Sequence, residues 1–217
     1  MVAAEVVSVP EEHSGREFGP AYWEERYRAA PAGAGAEASL YLRETAGDLP
    51  PGTALDAGCG EGADTVWLAA RGWRVTAADV SPTALDRARG RAARVLGPEA
   101  ARRIAWVRAD LTDWTPPAGG FALVTSHYVH APGGTAALVR RLAAAVAPGG
   151  TLLVVGHHHT EPHGSLPHAR VTAADLAASL GPAGGWEVTT GTRTRTVTAR
   201  GGRTILRDAV LTGRRRL

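Results

Sequence analysis

The chain has 217 residues, enough for one domain with a substantial core, and a formal net charge of +3. It holds no lysine, asparagine or glutamine, which excludes Schiff-base lysine chemistry and an Asn-Pro-Pro-Tyr amine pocket. Cys59 is the single cysteine, so neither an intramolecular disulfide nor a cysteine-based metal site can form. No apolar run approaches the length of about 20 residues that spans a bilayer. The start, Met1-Val2-Ala3-Ala4-Glu5, lacks the basic and apolar regions of a secretory signal. These features predict a cytoplasmic protein that engages no membrane. The scattered arginines, including Arg207 and Arg214-Arg215-Arg216, read as solvated surface rather than as a nucleic-acid footprint.

Residues 1–17 carry mixed charge without periodicity and read as a flexible arm or lid ahead of one domain, 18–217. Gly19-Pro20 opens a helix over Ala21-Tyr22-Trp23-Glu24-Glu25-Arg26-Tyr27-Arg28, with Trp23 and Tyr27 on one face at i, i+4. Pro31-Ala32-Gly33-Ala34-Gly35 breaks it, and a second helix is expected over 36–47. Strand and helix then alternate: strand 53–57, helix 62–71, strand 73–78, helix 82–96, strand 104–108, strand 121–126, helix 134–146 and strand 151–156. Ser81-Pro82 supplies an N-cap and a proline at the first helical position. Pro148-Gly149-Gly150 is the turn into the fifth strand. A helix over 172–180 precedes strands at 186–197 and 203–212, and Arg200-Gly201-Gly202 joins these two as an antiparallel hairpin. The pattern predicts an α/β fold. It is a Rossmann-like, seven-stranded, mostly parallel sheet with an antiparallel C-terminal hairpin and helices on both faces.

In such a sheet ligands sit beyond the carboxyl ends of the strands. The first strand runs into Leu55-Asp56-Ala57-Gly58-Cys59-Gly60-Glu61-Gly62, whose alternating glycines remove the β-carbons that would hold a ligand off the backbone. The loop also leads to the N–H groups of a helix N-terminus. Its G-x-G-x-G spacing differs from the G-x-G-x-x-G of dinucleotide enzymes. Asp56 would repel a pyrophosphate and suits a ligand's amino group. Asp79, followed by Val80, ends the second strand, where a carboxylate can accept both hydroxyls of a ribose. Asp110-Leu111 follows the third and offers a carboxylate and an N–H to an adenine. Ser126-His127-Tyr128-Val129-His130 follows from the fourth, on the acceptor side.

This ordered set resembles the motifs of the class I S-adenosylmethionine (SAM)-dependent methyltransferases, over residues 18–156 with the hairpin compatible. The resemblance implies SAM as cofactor, S-adenosylhomocysteine as product, and a small-molecule methyl acceptor as partner. It also implies cofactor contacts from Asp56, Gly58, Gly60, Asp79, Val80, Asp110, Leu111 and Ser126. Tyr22-Trp23-Glu24-Glu25-Arg26-Tyr27 is similar to the W-[DE]-x-R-Y opening of a subgroup that includes tellurite and thiopurine methyltransferases. That similarity implies that Trp23 and Tyr27 close over the cofactor; a simple packing pair is the alternative. The Trp-Ser-Gly-x-Pro-Asn segment of that subgroup is replaced here by an Ala/Gly-rich stretch at 29–36.

Methyl transfer from a sulfonium mainly needs alignment and desolvation. A hydroxyl or ring-nitrogen acceptor also needs a base with a pKa near 7. His127 and His130 after the fourth strand, and His157-His158-His159 after the fifth, should converge near the transferred methyl, with His163 and His168 in the loop beyond. His130 is the expected base and His127 the second candidate. Consecutive histidines on an extended segment alternate sides, so at most two of the triple could share an ion, and no metal is expected. Cys59 reads as a small buried residue rather than a nucleophile. The expected activity is methylation of a small molecule, with a thiol as the leading acceptor. The alternatives are O- or N-methylation of a natural-product scaffold, and a SAM-binding cyclase that does not methylate. A nicotinamide-dependent dehydrogenase is disfavoured by the glycine spacing and by Asp110.

Overall fold

The computed structural model describes residues 18–33, 37–130, 134–158, 171–181, 185–199 and 202–217. The expected arm at 1–17, residues 34–36 of the Ala/Gly-rich stretch, His159, His163, His168 and Arg200-Gly201 lie outside the described residues. Two helices, α1 (Pro20–Ala29) and α2 (Leu40–Ala46), precede the alternating part. That part runs β1 (Thr53–Ala57), α3 (Ala63–Ala70), β2 (Arg74–Asp79), α4 (Pro82–Val95), α5 (Pro98–Ala101), β3 (Ile104–Arg108), β4 (Phe121–His127), α6 (Thr135–Ala145) and β5 (Val146–His157). Then come α7 (Ala173–Ala178), β6 (Trp186–Ala199) and β7 (Gly202–Arg215).

The strands form one seven-stranded sheet in the order β3-β2-β1-β4-β5-β7-β6. Neighbours from β3 through β5 pair in parallel, and β7 runs antiparallel to both β5 and β6. The expected architecture is therefore the one observed. Chain order reverses between β1 and β4, which makes their carboxyl ends the natural ligand crevice. Successive strand residues supply opposite faces. Ala54, Leu123 and Leu153 join one buried cluster with Leu68, Trp73 and Leu85, while Leu55, Val124 and Leu152 join another with Leu138, Leu142 and Leu176.

Several boundaries differ from expectation. Trp73 is buried in the core, and its N–H closes the end of α3 on the Leu68 carbonyl, so pairing in β2 starts at Arg74. β5 starts at Val146, opposite Phe121; a register shift at Pro148-Gly149-Gly150 follows, with Gly149 at φ 73°, before Thr151 pairs with Leu123. The hairpin strands extend to 14 residues each, and the short helix α5 was not anticipated. Among the described residues no helix is long and apolar enough to cross a membrane.

Candidate active site

The glycine loop between β1 and α3 turns at Gly58, Gly60 and Gly62, all with positive φ (79°, 51° and 77°). Gly62 serves packing: a Cβ there would lie 2.8 Å from the Cβ of Ala88, so α4 sits directly on the loop. A Cβ at Gly60 would lie 2.8 Å from the Tyr27 hydroxyl, and one at Gly58 would overlap the Val129 side chain. The glycines thus let the Tyr27 and Val129 side chains approach the loop backbone directly, between α1 and the end of β4.

What lies there is a cleft of about 560 Å³ including its mouth. Trp23 and Tyr27 from α1 line it on one side, and Gly58, Asp79, Val80, Asp110 and Leu111 line it from the ends of β1, β2 and β3. His127, Tyr128, Val129 and His130 close the far side, together with Phe18. Asp79 is buried, and its two oxygens accept the N–H groups of Ser81 (2.9 Å) and Gly60 (2.8 Å). Burial raises its pKa against the pull of those donors. Asp110 accepts the N–H and hydroxyl of Thr112 on one oxygen, at 2.9 and 2.7 Å. A carboxylate has about four acceptor positions, so both side chains keep capacity for a ligand's donors.

Three expected cofactor contacts, Asp56, Gly60 and Ser126, do not line the cleft. Asp56 is 4% exposed and does not line the cleft; its Oδ2 accepts the Thr65 hydroxyl at 2.5 Å. Burial, with Asp64 nearby, pushes its pKa up to about 7. Ser126 is also buried and borders a smaller apolar pocket beside Val154 and Leu176. Gly60 takes part through its N–H, which is spent on Asp79.

The histidines divide. His127 lines the cleft, but both ring nitrogens are engaged, Nδ1 with Asp64 at 2.6 Å and Nε2 with the Thr125 hydroxyl at 3.1 Å. It therefore locks β4 to α3, and its candidacy as a base is corrected on that ground. His130 stacks against Trp23 (centroids 6.1 Å apart) on one side and His157 (5.6 Å) on the other. Cys59 is buried, which raises its thiol well above the ordinary value and keeps it neutral.

Sequence reasoning missed the clamp on α1. Glu24 accepts the Ser81 hydroxyl (2.6 Å), the Thr83 hydroxyl (2.7 Å) and the Thr83 N–H (3.2 Å) at the start of α4, and pairs with Arg28 at 2.7 Å. These donors hold its carboxyl down at about 2. The segment after α1 is tied as well: Arg87 reaches Glu61 (2.8 Å) and the Ala30 carbonyl (2.9 Å), and Arg91 reaches the Gly33 carbonyl (2.6 Å). The only hint was an acidic residue one turn before Tyr27; its partners lie 57 and 59 positions away.

A mostly parallel seven-stranded sheet whose first loop is glycine-rich and whose second strand ends in an acid defines a class I SAM-dependent methyltransferase fold. Residues 54–150 match the methyltransferase domain family, and this match together with the fold supports a class I SAM-dependent methyltransferase with SAM as the cofactor. It is 32% identical over 134 residues to the trans-aconitate 2-methyltransferase of Methylobacterium radiotolerans, covering 60% of this chain and 48% of that one. The chain spans about half the length of the curated relatives it matches. Its fold is similar to that of the structure described as conversion of a disulfide bond into a thioacetal group during echinomycin biosynthesis (TM-score 0.67, 24% identity, 91% of this chain and 92% of that one). It is also similar to magnesium protoporphyrin IX methyltransferase from Synechocystis with bound S-adenosylhomocysteine (TM-score 0.58, 21% identity, 81% and 79% covered). The glycine cradle and the acceptor capacity of Asp79 and Asp110 fit such a cofactor.

The raised carboxyl of Asp56 has a pH signature. An acid whose folded pKa lies above its unfolded one contributes stability below the ordinary carboxylate pKa and loses it as pH rises toward the folded value, here about 7. Urea unfolding from pH 4 to 7 should therefore show wild type losing ground to Asp56→Asn as pH rises; a constant difference counts against the raised pKa. Glu24→Gln should speed hydrogen exchange in α1 while leaving that of the central strands unchanged; equal protection of α1 in both proteins would show that the clamp is idle.

Proposed function

We propose that the chain transfers the methyl group of SAM to a small-molecule acceptor held against the Phe18, Trp23, Tyr128 and His130 side of the cleft, and that the acceptor is a soft nucleophile, a thiol first. When bound, SAM supplies an activated methyl on a sulfonium. Asp79 would receive its ribose hydroxyls, Asp110 and the Leu111 N–H its adenine, and Gly58 and Gly60 its amino-acid end. Trp23 and Tyr27, held down through Glu24, cover the cleft and exclude water.

The observation that carries this reading is the division of the cleft. Its charged side chains are carboxylates on the β2 and β3 side, and its far wall is a ladder of π faces from Trp23 through His130. Aromatic faces make favourable contacts with sulfur, and they suit a neutral, polarisable acceptor better than a polyanion. The likeness to a structure described as acting on a disulfide supports sulfur chemistry. The trans-aconitate relative favours the second reading, methylation of a carboxylate oxygen.

Two measurements test the halves separately. In calorimetry, Asp79→Ala should weaken SAM binding by at least about tenfold, since each charge-assisted bond lost costs on the order of 1.5–3 kcal/mol. Unchanged affinity would remove Asp79 from the ribose site. A panel of thiols, phenols, amines and carboxylates, read by S-adenosylhomocysteine release and by product mass with methyl-labelled SAM, should show thiol turnover with label in the product. Clear phenol or carboxylate turnover without thiol turnover overturns the thiol assignment, and an unlabelled product overturns methyl transfer itself.

A further inference from the structure

Behind the acceptor wall lies a buried carboxylate outside the cofactor motifs. Asp208 in β7 is 0% exposed and stands opposite His157 of β5 and Arg193 of β6. Its Oδ2 accepts three hydrogen bonds, from the hydroxyls of Tyr41 (2.8 Å) and Tyr128 (2.8 Å) and from Nε of Arg195 (2.6 Å). Its Oδ1 is buried and accepts none among the described residues. The side chain facing that oxygen is His157, with Nδ1 at 4.0 Å. The His157 ring lies flat between Tyr128 (centroids 4.7 Å, 29° between planes) and His130 (5.6 Å, 28°), both of which line the cleft. Its side chain is 24% exposed.

The asymmetry of Asp208 carries a chemical consequence. Burial makes an undonated carboxylate oxygen costly, and a positive charge arriving beside it lowers that cost. The groups around the His157–Asp208 pair are Arg195 of β6 and Tyr41 of α2 on Asp208, Tyr128 and His130 beyond β4 on the His157 ring, and His158 next in sequence. Arg195 is already charged and is committed to Oδ2. Burial and the carboxylate hold Tyr41 neutral, pushed up to about 12, and hold Tyr128 neutral as well. Of the groups against Asp208, His157 is the one that can gain a proton near neutral pH.

We propose that His157 receives the proton of the methyl acceptor, and that Asp208 is the positioning residue that orients its ring and stabilises the imidazolium. The inference rests on the cleft being a methyl-transfer site. It places the base on His157 and leaves His130 as the wall the acceptor touches. In the step, the acceptor's X–H bond breaks and its electron pair stays on X, the nucleophilic atom. The proton bonds to Nε2 of His157, which becomes a cation facing the Asp208 anion. The proton later leaves to solvent from the partly exposed ring, restoring the neutral base. Such a pair suits acceptors that are weak acids, thiols and phenols, rather than carboxylates already ionised at neutral pH.

Ring-nitrogen NMR titration of the full chain reads the pair without turnover, with the His157 signal assigned through His157→Phe, which keeps a flat ring between Tyr128 and His130. His157 should titrate at least about one unit higher in wild type than in Asp208→Asn. Equal titration in the two proteins overturns the pairing. Should Asp208→Asn fail to fold, His157→Phe decides: with the best acceptor of the panel, kcat should fall about 10²–10⁴-fold, the rising limb of the kcat/KM–pH profile should vanish, and SAM affinity should stay within about twofold. A kcat within about threefold of wild type overturns the base assignment. If wild type turns over no acceptor, the methyl-transfer reading fails while the NMR titration still decides the His157–Asp208 pair.

Discussion

The site depends on one carboxylate that reaches two ways. Asp79 ends β2, next to β1 in the sheet, and from there it accepts the N–H of Gly60 in the β1 loop and the N–H of Ser81 at the start of α4. A buried carboxylate tolerates its environment only while such donors face it. The two donors therefore hold the glycine loop and the head of α4 at a fixed separation. Ser81 passes the constraint on: its oxygen caps α4 by accepting the Ala84 N–H, and its hydroxyl hydrogen goes to Glu24 on α1. Loop, helix and cover are thus aligned through one chain of hydrogen bonds, and a ligand donor meeting Asp79 meets a side chain already oriented.

The cover is held differently from the floor. None of the residues of α1 is buried, so apolar packing contributes little to its position. Its anchors are Glu24 on the α4 terminus and, for the segment that follows, Arg87, Glu61 and Arg91 near the surface. Contacts of this kind are individually weak and easily exchanged with water. The floor is the reverse: β1 and β4 pair in parallel, and most of their residues are buried. A buried sheet floor under a helix fastened by a few polar contacts lets the helix shift without disturbing the sheet.

The half of the cleft proposed for the cofactor was legible because its information is local. Each motif residue follows directly from its own strand, and the alternation of strand and helix already says that those strand ends meet. Gly58, Asp79 and Asp110 needed only the fold class to be placed together. Asp56 misled because a strand-end acid reads the same whether it faces the crevice or the core; its partner Thr65 lies one turn into the next helix and shows no sign of that role in sequence. His127 misled for a similar reason. Its side chain points along the sheet toward Asp64, 63 positions earlier, and a count of histidines at strand ends cannot sense that direction. The boundary errors have smaller causes, such as Trp73 preferring the core to the ladder.

The side of the cleft proposed for the acceptor was not legible because it is assembled from distant chain segments. Asp208 gathers Tyr41 from 167 positions away and Tyr128 from 80, and it can do so only because the hairpin inserts β7, reversed, between β5 and β6. One sequence sign was present, an aspartate directly before the apolar run Ala209-Val210-Leu211 of a strand that becomes interior to the sheet. Tyr128 shows what the network sustains. It takes a positive φ of 55°, a conformation that costs a non-glycine residue about 1–3 kcal/mol, and it is held there by its N–H on the Val155 carbonyl and its hydroxyl on Asp208. Strain of that kind persists only where surrounding contacts over-determine it. Here one contact comes from β5 and the other from the hairpin, so the hairpin helps to hold the side of the cleft proposed for the acceptor. A change in β6 or β7 can therefore reach Tyr128 through Asp208 without touching Gly58, Asp79 or Asp110.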